Sequence, residues 1–420
     1  MKKVYVFLNL FFSSVFIFSQ SGIPDNHVYL AAEGNKINYW TMWNRSEPQG
    51  QVIARAAEAF TRETGIKIEI NFMGRDIRSI LQHAINTGSV IDMFDEDIDR
   101  VNIVWETYLL PLDSYISRSY PTTGGSPYNQ VINKLLLDLA KIKGGGMVKT
   151  IPYQPFIFTT MYNRDLFNRA GITKSPSNWD EMLDACAKLK AIGVAGITVD
   201  DAYMVSLFGY NMVRLAGYDA CRAMVERNDF SHPAVLEFGK IWENMSRIGY
   251  IVPGAATNVW PKGEEQDLAA GKAAMYLNGT WLPYFLKNNV PNFKWGSFAW
   301  PAMSLNGDGI NANNIGAQCF AINKNSKCSE EAFRFIVYLT TGKWDVTLAE
   351  ETIGIPLANN SKWPDALSEA KAVFQNTGKT LPWAAGFDEK EEISAKIREN
   401  FAKLIALEFN AQQFADSMRK

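Results

Sequence analysis

The sequence predicts an α/β protein built from two domains, and three observations carry that expectation. Its 420 residues exceed what one compact core usually organises. Hydrophobic residues make up 47% and charged residues 20%, the balance of an ordinary globular chain. Residues 37–94 then read as strand, helix, strand, helix, strand, which implies a mostly parallel sheet with helices on both faces.

Ile37 to Met42 alternates loosely as a first strand. Gln51 to Glu63 is an amphipathic helix with Val52, Ala56, Ala59 and Phe60 on one side, closed by Gly65. Ile66 to Phe72 alternates again, and Asp76 to Asn86 is a helix before a Gly88-Ser89 turn. Val90 to Phe94 is short and nearly unbroken in apolar character, the pattern of a strand buried on both faces. A helix around Val131 to Ile142 lies between Gly124-Gly125 and Gly144-Gly145-Gly146, and Ile151 to Gln154 reads as a crossing between lobes. An apolar strand ending at Tyr162-Asn163 follows, then an Asp-Leu-Phe helix closed by Gly171. Helices are expected at Trp179 to Ala191, Val205 to Ala216, Pro233 to Ser246 and Glu330 to Thr340, and from Glu389 to the end. Strands are expected at Gly196 to Val199, Ala273 to Leu277, Trp295 to Trp300 and Ile315 to Ile322.

Residues 1–19 carry Lys2 and Lys3 before an apolar run interrupted by Asn9, Ser13 and Ser14, the pattern of a secretory signal peptide; an uncleaved anchor is the alternative. Residues 20–35 read as a flexible lead-in, and no Cys near residue 20 supports a lipid anchor. Export is therefore expected, to the periplasm or an equivalent extracytoplasmic space. Four Cys (186, 221, 319 and 328) do not make a disulfide framework; Cys319 and Cys328 are close enough in sequence to pair, but buried free thiols are the expectation. A net charge of -2 argues against nucleic-acid binding.

Several segments, in order, resemble the family 1 extracellular solute-binding proteins, the sugar-capturing components of bacterial ABC importers, of the maltose-binding-protein kind. They are Tyr39-Trp40-Thr41-Met42-Trp43, Phe60 to Ile68, Thr87 to Met93 (with Ile91 where the family has Pro), Leu110 to Tyr115, Ile151 to Lys190, Gly271 to Tyr276, Asn278-Gly279-Thr280-Trp281 and Ala321 to Ser326. The resemblance implies a two-lobed periplasmic-binding-protein fold, each lobe a mostly parallel sheet flanked by helices, with the ligand cleft between. It divides the chain into an N-terminal lobe of residues 36–150 and 302–345 and a C-terminal lobe of 151–301 and 346–420. It further implies hinge closure, a membrane permease as partner, a monomer, no cofactor, no metal and no catalysis.

A sugar presents C–H faces to aromatic rings and hydroxyls to paired donors and acceptors. Trp43, Asn44, Arg45 and Glu47 have this mix directly after the first strand, and Gly279 and Trp281 form a second strand-end position marked by the resemblance. Asp95, Glu96 and Asp97 follow the predicted third strand. Asp95, Asp97, Asp99 and Glu106 show calcium-loop spacing, but Arg100 stands where that loop needs Gly, and carboxylates at a helix N-terminus explain the acids without a metal. Tyr153 and Gln154 at the crossing, Asp201 and Tyr203 after a strand, and Trp300 and Trp383 complete the candidates. Each has an ordinary packing alternative.

Catalytic motifs are poor: three dispersed His, no G-x-S-x-G, and a Gly144–Thr150 stretch that fails phosphate-loop spacing. The expected function is a receptor that captures a mono- or oligosaccharide for a permease. The rivals are a uronate, polyamine or peptide receptor, with Arg45 favouring an acidic ligand and residues 95–97 a cation, and a carbohydrate hydrolase or lyase.

Overall fold

The computed structural model describes residues 36–419, so the expected signal peptide and lead-in lie outside the described residues. Within them nine strands join: β1 (Lys36–Thr41), β2 (Lys67–Phe72), β3 (Met93–Asp97), β4 (Thr150–Asn163), β5 (Ala195–Thr198), β6 (Ala273–Gly279), β7 (Trp295–Phe298), β8 (Ala312–Ile322) and β9 (Lys379–Leu381). Their order is β2-β1-β3-β8-β4-β6-β5, with β7 on β4 and β9 on β8. β1 pairs in parallel with β2 and β3, as the strand–helix alternation requires, and β5 runs parallel to β6. The helix Pro48–Thr64 shows the local logic. Pro48 sits at its first turn, Val52, Ile53, Ala56 and Phe60 face the core, and Gly65 ends it at φ 73°.

β4 and β8 tie the two lobes together. They are antiparallel to each other, with Ile151 opposite Phe320 and Ile157 opposite Ile315. β8 also pairs with β3 in the N-terminal lobe, while the far half of β4 pairs with β6 and β7 in the C-terminal lobe. Within the β4–β8 pairing the register slips at Tyr153/Pro155. Gln154 occupies the bulge at φ 45°, a left-handed conformation unfavourable for a residue with a Cβ. Two side-chain hydrogen bonds hold it there: Gln49 Nε2 donates to its Oε1 at 3.1 Å, and its Nε2 donates to Thr352 Oγ1 at 2.7 Å.

One expectation shifts. The third strand begins at Met93, three residues later than the apolar run suggests, and takes in Asp95, Glu96 and Asp97. Its limits are set by β8, which pairs with it from Met93 opposite Ile322 to Asp97 opposite Gln318. Val90 is left exposed. Residues 345 and 346 lie within the helix Gly342–Thr352, whose Trp344 and Leu348 join the core that contains Tyr39 and Phe60. All four Cys are free; Cys186, Cys221 and Cys319 are buried, whereas Cys328 is only half-buried. Among the described residues no helix is long and apolar enough to cross a membrane.

Candidate functional site

The C-terminal lobe presents a wall of aromatic rings where β4 leaves the crossing. Phe156 and Phe158 project from one face of β4, two residues apart as strand pleating dictates. Trp281, just past β6, lies 5.1 Å from Phe156 between ring centroids and stacks on Trp383 at 6.0 Å and 20°. Tyr203 reaches Trp383 at 6.4 Å and Phe158 at 5.8 Å. Backbone geometry makes the wall possible. A Cβ on Gly279 would lie 2.1 Å from the Trp281 ring, so only glycine lets the indole lie flat there. The turn carrying Trp383 places Ala384 and Ala385 at φ 45° and 56°, and it abuts Gly209, where a Cβ would meet Ala384 O at 2.2 Å.

Two rings of this wall, Phe156 and Trp383, border a cavity of about 440 Å³ lined by both lobes and the crossing strands. Asp97, Asp99 and Lys143 come from the N-terminal lobe, Trp383 and Asp388 from the C-terminal lobe, and Phe156 and Asn314 from the strands between. Lys143 pairs with Asp99 at 2.5 Å. Burial pushes the Asp97 carboxyl up to about 6, with the Asp99 charge adding to the rise. Burial also lifts Asp388 to about 6; the charges of Glu389 and, across the cavity, Asp99 add to it. Asn314 is buried and its Nδ2 donates to Leu381 O, but its Oδ1 has no partner. The cavity thus combines flat apolar rings with acceptors that a polyhydroxylated ligand would satisfy.

The candidates around the first strand are placed differently. Trp43 is buried, and its Nε1 donates to Tyr153 Oη at 2.7 Å, whose proton goes to Asp95. Asp95 is fully buried, accepts Met42 N at 3.0 Å, and is pushed up to about 7 by burial against those hydrogen bonds. Glu96 is also fully buried, paired with Arg78 at 2.8 Å and Arg100 at 3.1 Å. These two acids, expected to accept ligand hydroxyls, are sheet residues already committed to protein partners. Asp97 caps the helix Ile98–Val104 through Asp99 N at 2.9 Å, while its half-exposed side chain still borders the cavity. Glu47 accepts from Asn44 N at 2.6 Å and pairs with Arg75 at 2.9 Å, and the Arg75 guanidinium covers the Trp43 ring. Arg45 lies over Phe72 in a groove on the helix Pro48–Thr64, apart from both the cavity and the aromatic wall.

Gln154 is absorbed by the crossing, and Asp201 accepts Trp260 N at 2.8 Å, bracing a loop. Trp300 is 0% exposed, packed against Trp179, and does not reach the cavity. Of the candidates, Asp97 and Trp383 line the inter-lobe cavity, Tyr203, Gly279 and Trp281 belong to the aromatic cluster around Trp383, and Arg45 and Trp300 stand apart from both. Sequence reasoning missed Phe156, Lys143, Asn314 and Asp388. Only Phe156 had a visible signal, its two-residue spacing from Phe158 beside Gln154.

The sequence profile described as bacterial extracellular solute-binding protein matches residues 44–344. The multiple sugar-binding protein of Streptococcus mutans is 24% identical over 310 residues, covering 72% of this chain and 70% of its own. Relatives from Brucella abortus, 25% identical over 267 residues, cover 61% of the chain, which spans only 60% of their length. Among solved structures, apo RafE from Streptococcus pneumoniae superimposes with a TM-score of 0.73 at 18% identity, covering 92% of this chain and 97% of that one. A chitin oligosaccharide binding protein gives 0.67 at 18% identity, over 92% and 98%. These likenesses establish a two-lobed α/β fold, and the match over residues 44–344 establishes the lineage: the chain belongs to the family of bacterial extracellular solute-binding proteins.

Proposed function

We propose that this protein is an exported, monomeric receptor that captures a mono- or oligosaccharide between its lobes and hands it to an ABC transporter permease. The observation that carries the reading is that Trp383, stacked on Trp281, and Phe156 border a cavity whose other wall bears carboxylates. Rings pack on sugar C–H faces, and the acceptors pair with hydroxyls that would be costly to bury unmatched. The sugar-binding relatives support the same ligand class. Bond chemistry has no place in this reading: ligand binding selects a closed state, and release follows reopening.

The test is a thermal-shift screen of the mature protein against neutral sugars, uronates, polyamines and peptides, with chromatography of the incubated sugars. A saturable shift with one sugar class and no product supports the receptor reading. A shift with a peptide alone removes the sugar assignment, and product formation removes the non-catalytic one. Gly279→Ala provides an internal check. The new methyl must displace the Trp281 ring, so sugar affinity should fall about tenfold by titration calorimetry, while overpacking costs about 1–3 kcal/mol of stability. Unchanged affinity would show that the indole does not touch ligand.

A further inference from the structure

A second, smaller pocket of about 260 Å³ lies in the C-terminal lobe, lined by Tyr203, Trp260, Glu264, Trp281 and Phe285. Four of its five walls are aromatic, and Trp260 and Phe285 are 45% and 54% exposed, large apolar surfaces to leave in water. The fifth wall is an acid. Glu264 is only 2% exposed; the Trp260 side chain donates a hydrogen bond to its carboxyl, but its Oε2 has no hydrogen-bond partner. It sits on a π-helical turn, Gly263–Leu268, a conformation rare in ordinary helices and frequent at functional sites. No Lys or Arg lines the pocket among the described residues.

The groups around the carboxyl sharpen the question of what completes it. From its own turn and the strand end packed on it, Glu264 meets the charges of Asp200 and Glu265, which with burial lift its carboxyl to about 7. Tyr203 and Tyr276 face it as neutral phenols, pushed upward in part by that same acid. On the helix Leu282–Leu286 side, the Lys287 ammonium sits over the Tyr284 ring at 3.7 Å. Asp267, further along the turn, is occupied by Thr198, Asn258 and Lys272. Opposite a neutral hydroxyl the buried acid simply keeps its proton. An ammonium would neutralise it through a charge-assisted hydrogen bond and rest its charge against indole faces.

We infer that this pocket takes a protonated amine, carried on an amino-sugar unit of the ligand, with Glu264 as its carboxylate partner and Trp260 and Trp281 as its apolar walls. The inference rests on the carbohydrate reading and narrows it to a cationic sugar. The experiment is titration calorimetry of the whole mature protein with three disaccharides: a glucosamine dimer, its N,N′-diacetyl form and cellobiose. The amine should bind at least about tenfold tighter than both neutral sugars, and its affinity should rise between about pH 5.5 and 7 as the acid ionises. Glu264→Gln should erase that preference and leave the neutral sugars within about twofold. Should that variant fail to fold, the wild-type ratio and pH trend decide alone, with Trp260→Ala expected to weaken the amine. Equal or tighter binding of a neutral sugar overturns the inference and leaves the receptor reading standing. Absence of binding by any sugar overturns both.

Discussion

Replacing Trp281 or Trp383 with Ala is expected to weaken sugar binding by about 10- to 100-fold each, the loss of one well-packed aromatic anchor. The losses should not add. The two rings stack on each other, so truncating one frees its neighbour to tilt, and the double variant should cost less than the product of the singles. The stability costs should differ as well. Trp383 packs closer to the buried Phe158, at 5.2 Å against 6.0 Å for Trp281, so Trp383→Ala should lower the melting temperature more. Calorimetric titration and a melting curve on each variant separate the two effects. Retention of full affinity in both would remove the aromatic wall from the ligand site.

The largest stability effect is expected at Tyr153. Its hydroxyl accepts from Trp43 and donates to Asp95, so Tyr153→Phe strands a buried donor and a buried carboxyl together, at a cost of about 2–4 kcal/mol. The pH dependence gives a signature that simple loss of packing would not. Burial holds Asp95 at about 7, and the Tyr153 hydrogen bond is the largest influence pulling it down. A carboxyl raised on folding contributes stability that is full below its unfolded pKa of about 4 and is lost as pH rises through its folded value. In the native protein that loss is complete near pH 7. Without the hydroxyl the carboxyl moves higher still, so the loss continues and the variant's deficit should widen above pH 7. Melting curves from mildly acidic to mildly alkaline buffer check this; a constant deficit would mean that the Tyr153 hydroxyl does not set the Asp95 proton.

Local pattern was enough wherever an element is decided by its own residues. The helix from Pro48 is written in its apolar stripe and Gly65, and the helix Trp179–Ala191 follows its periodicity to the residue. It was insufficient where a distant segment decides. Asp95 and Glu96 look like a solvated acidic loop until β8, more than 200 positions later, draws them into the sheet, where Tyr153, Arg78 and Arg100 compensate them. Arg45 has the right chemistry for a ligand, but Phe72 offers it a cation–π seat outside the cleft. Trp300 follows a strand as Trp281 does, yet it turns inward against Trp179. Asn314 and Asp388 reach the cavity only because the crossing strands and the last third of the chain fold back over it, which no local spacing records.

The N-terminal lobe is completed by a late part of the chain. Phe335 of the helix Ser329–Thr340 packs on Tyr39 and Phe60, and the helix Gly342–Thr352 closes the same core. A chain lengthening from its N-terminus therefore carries an unfinished first lobe until these helices have been made. Until β8 is made, β3 lacks its antiparallel neighbour. The earliest strands are thus completed by segments that emerge more than 200 residues after them.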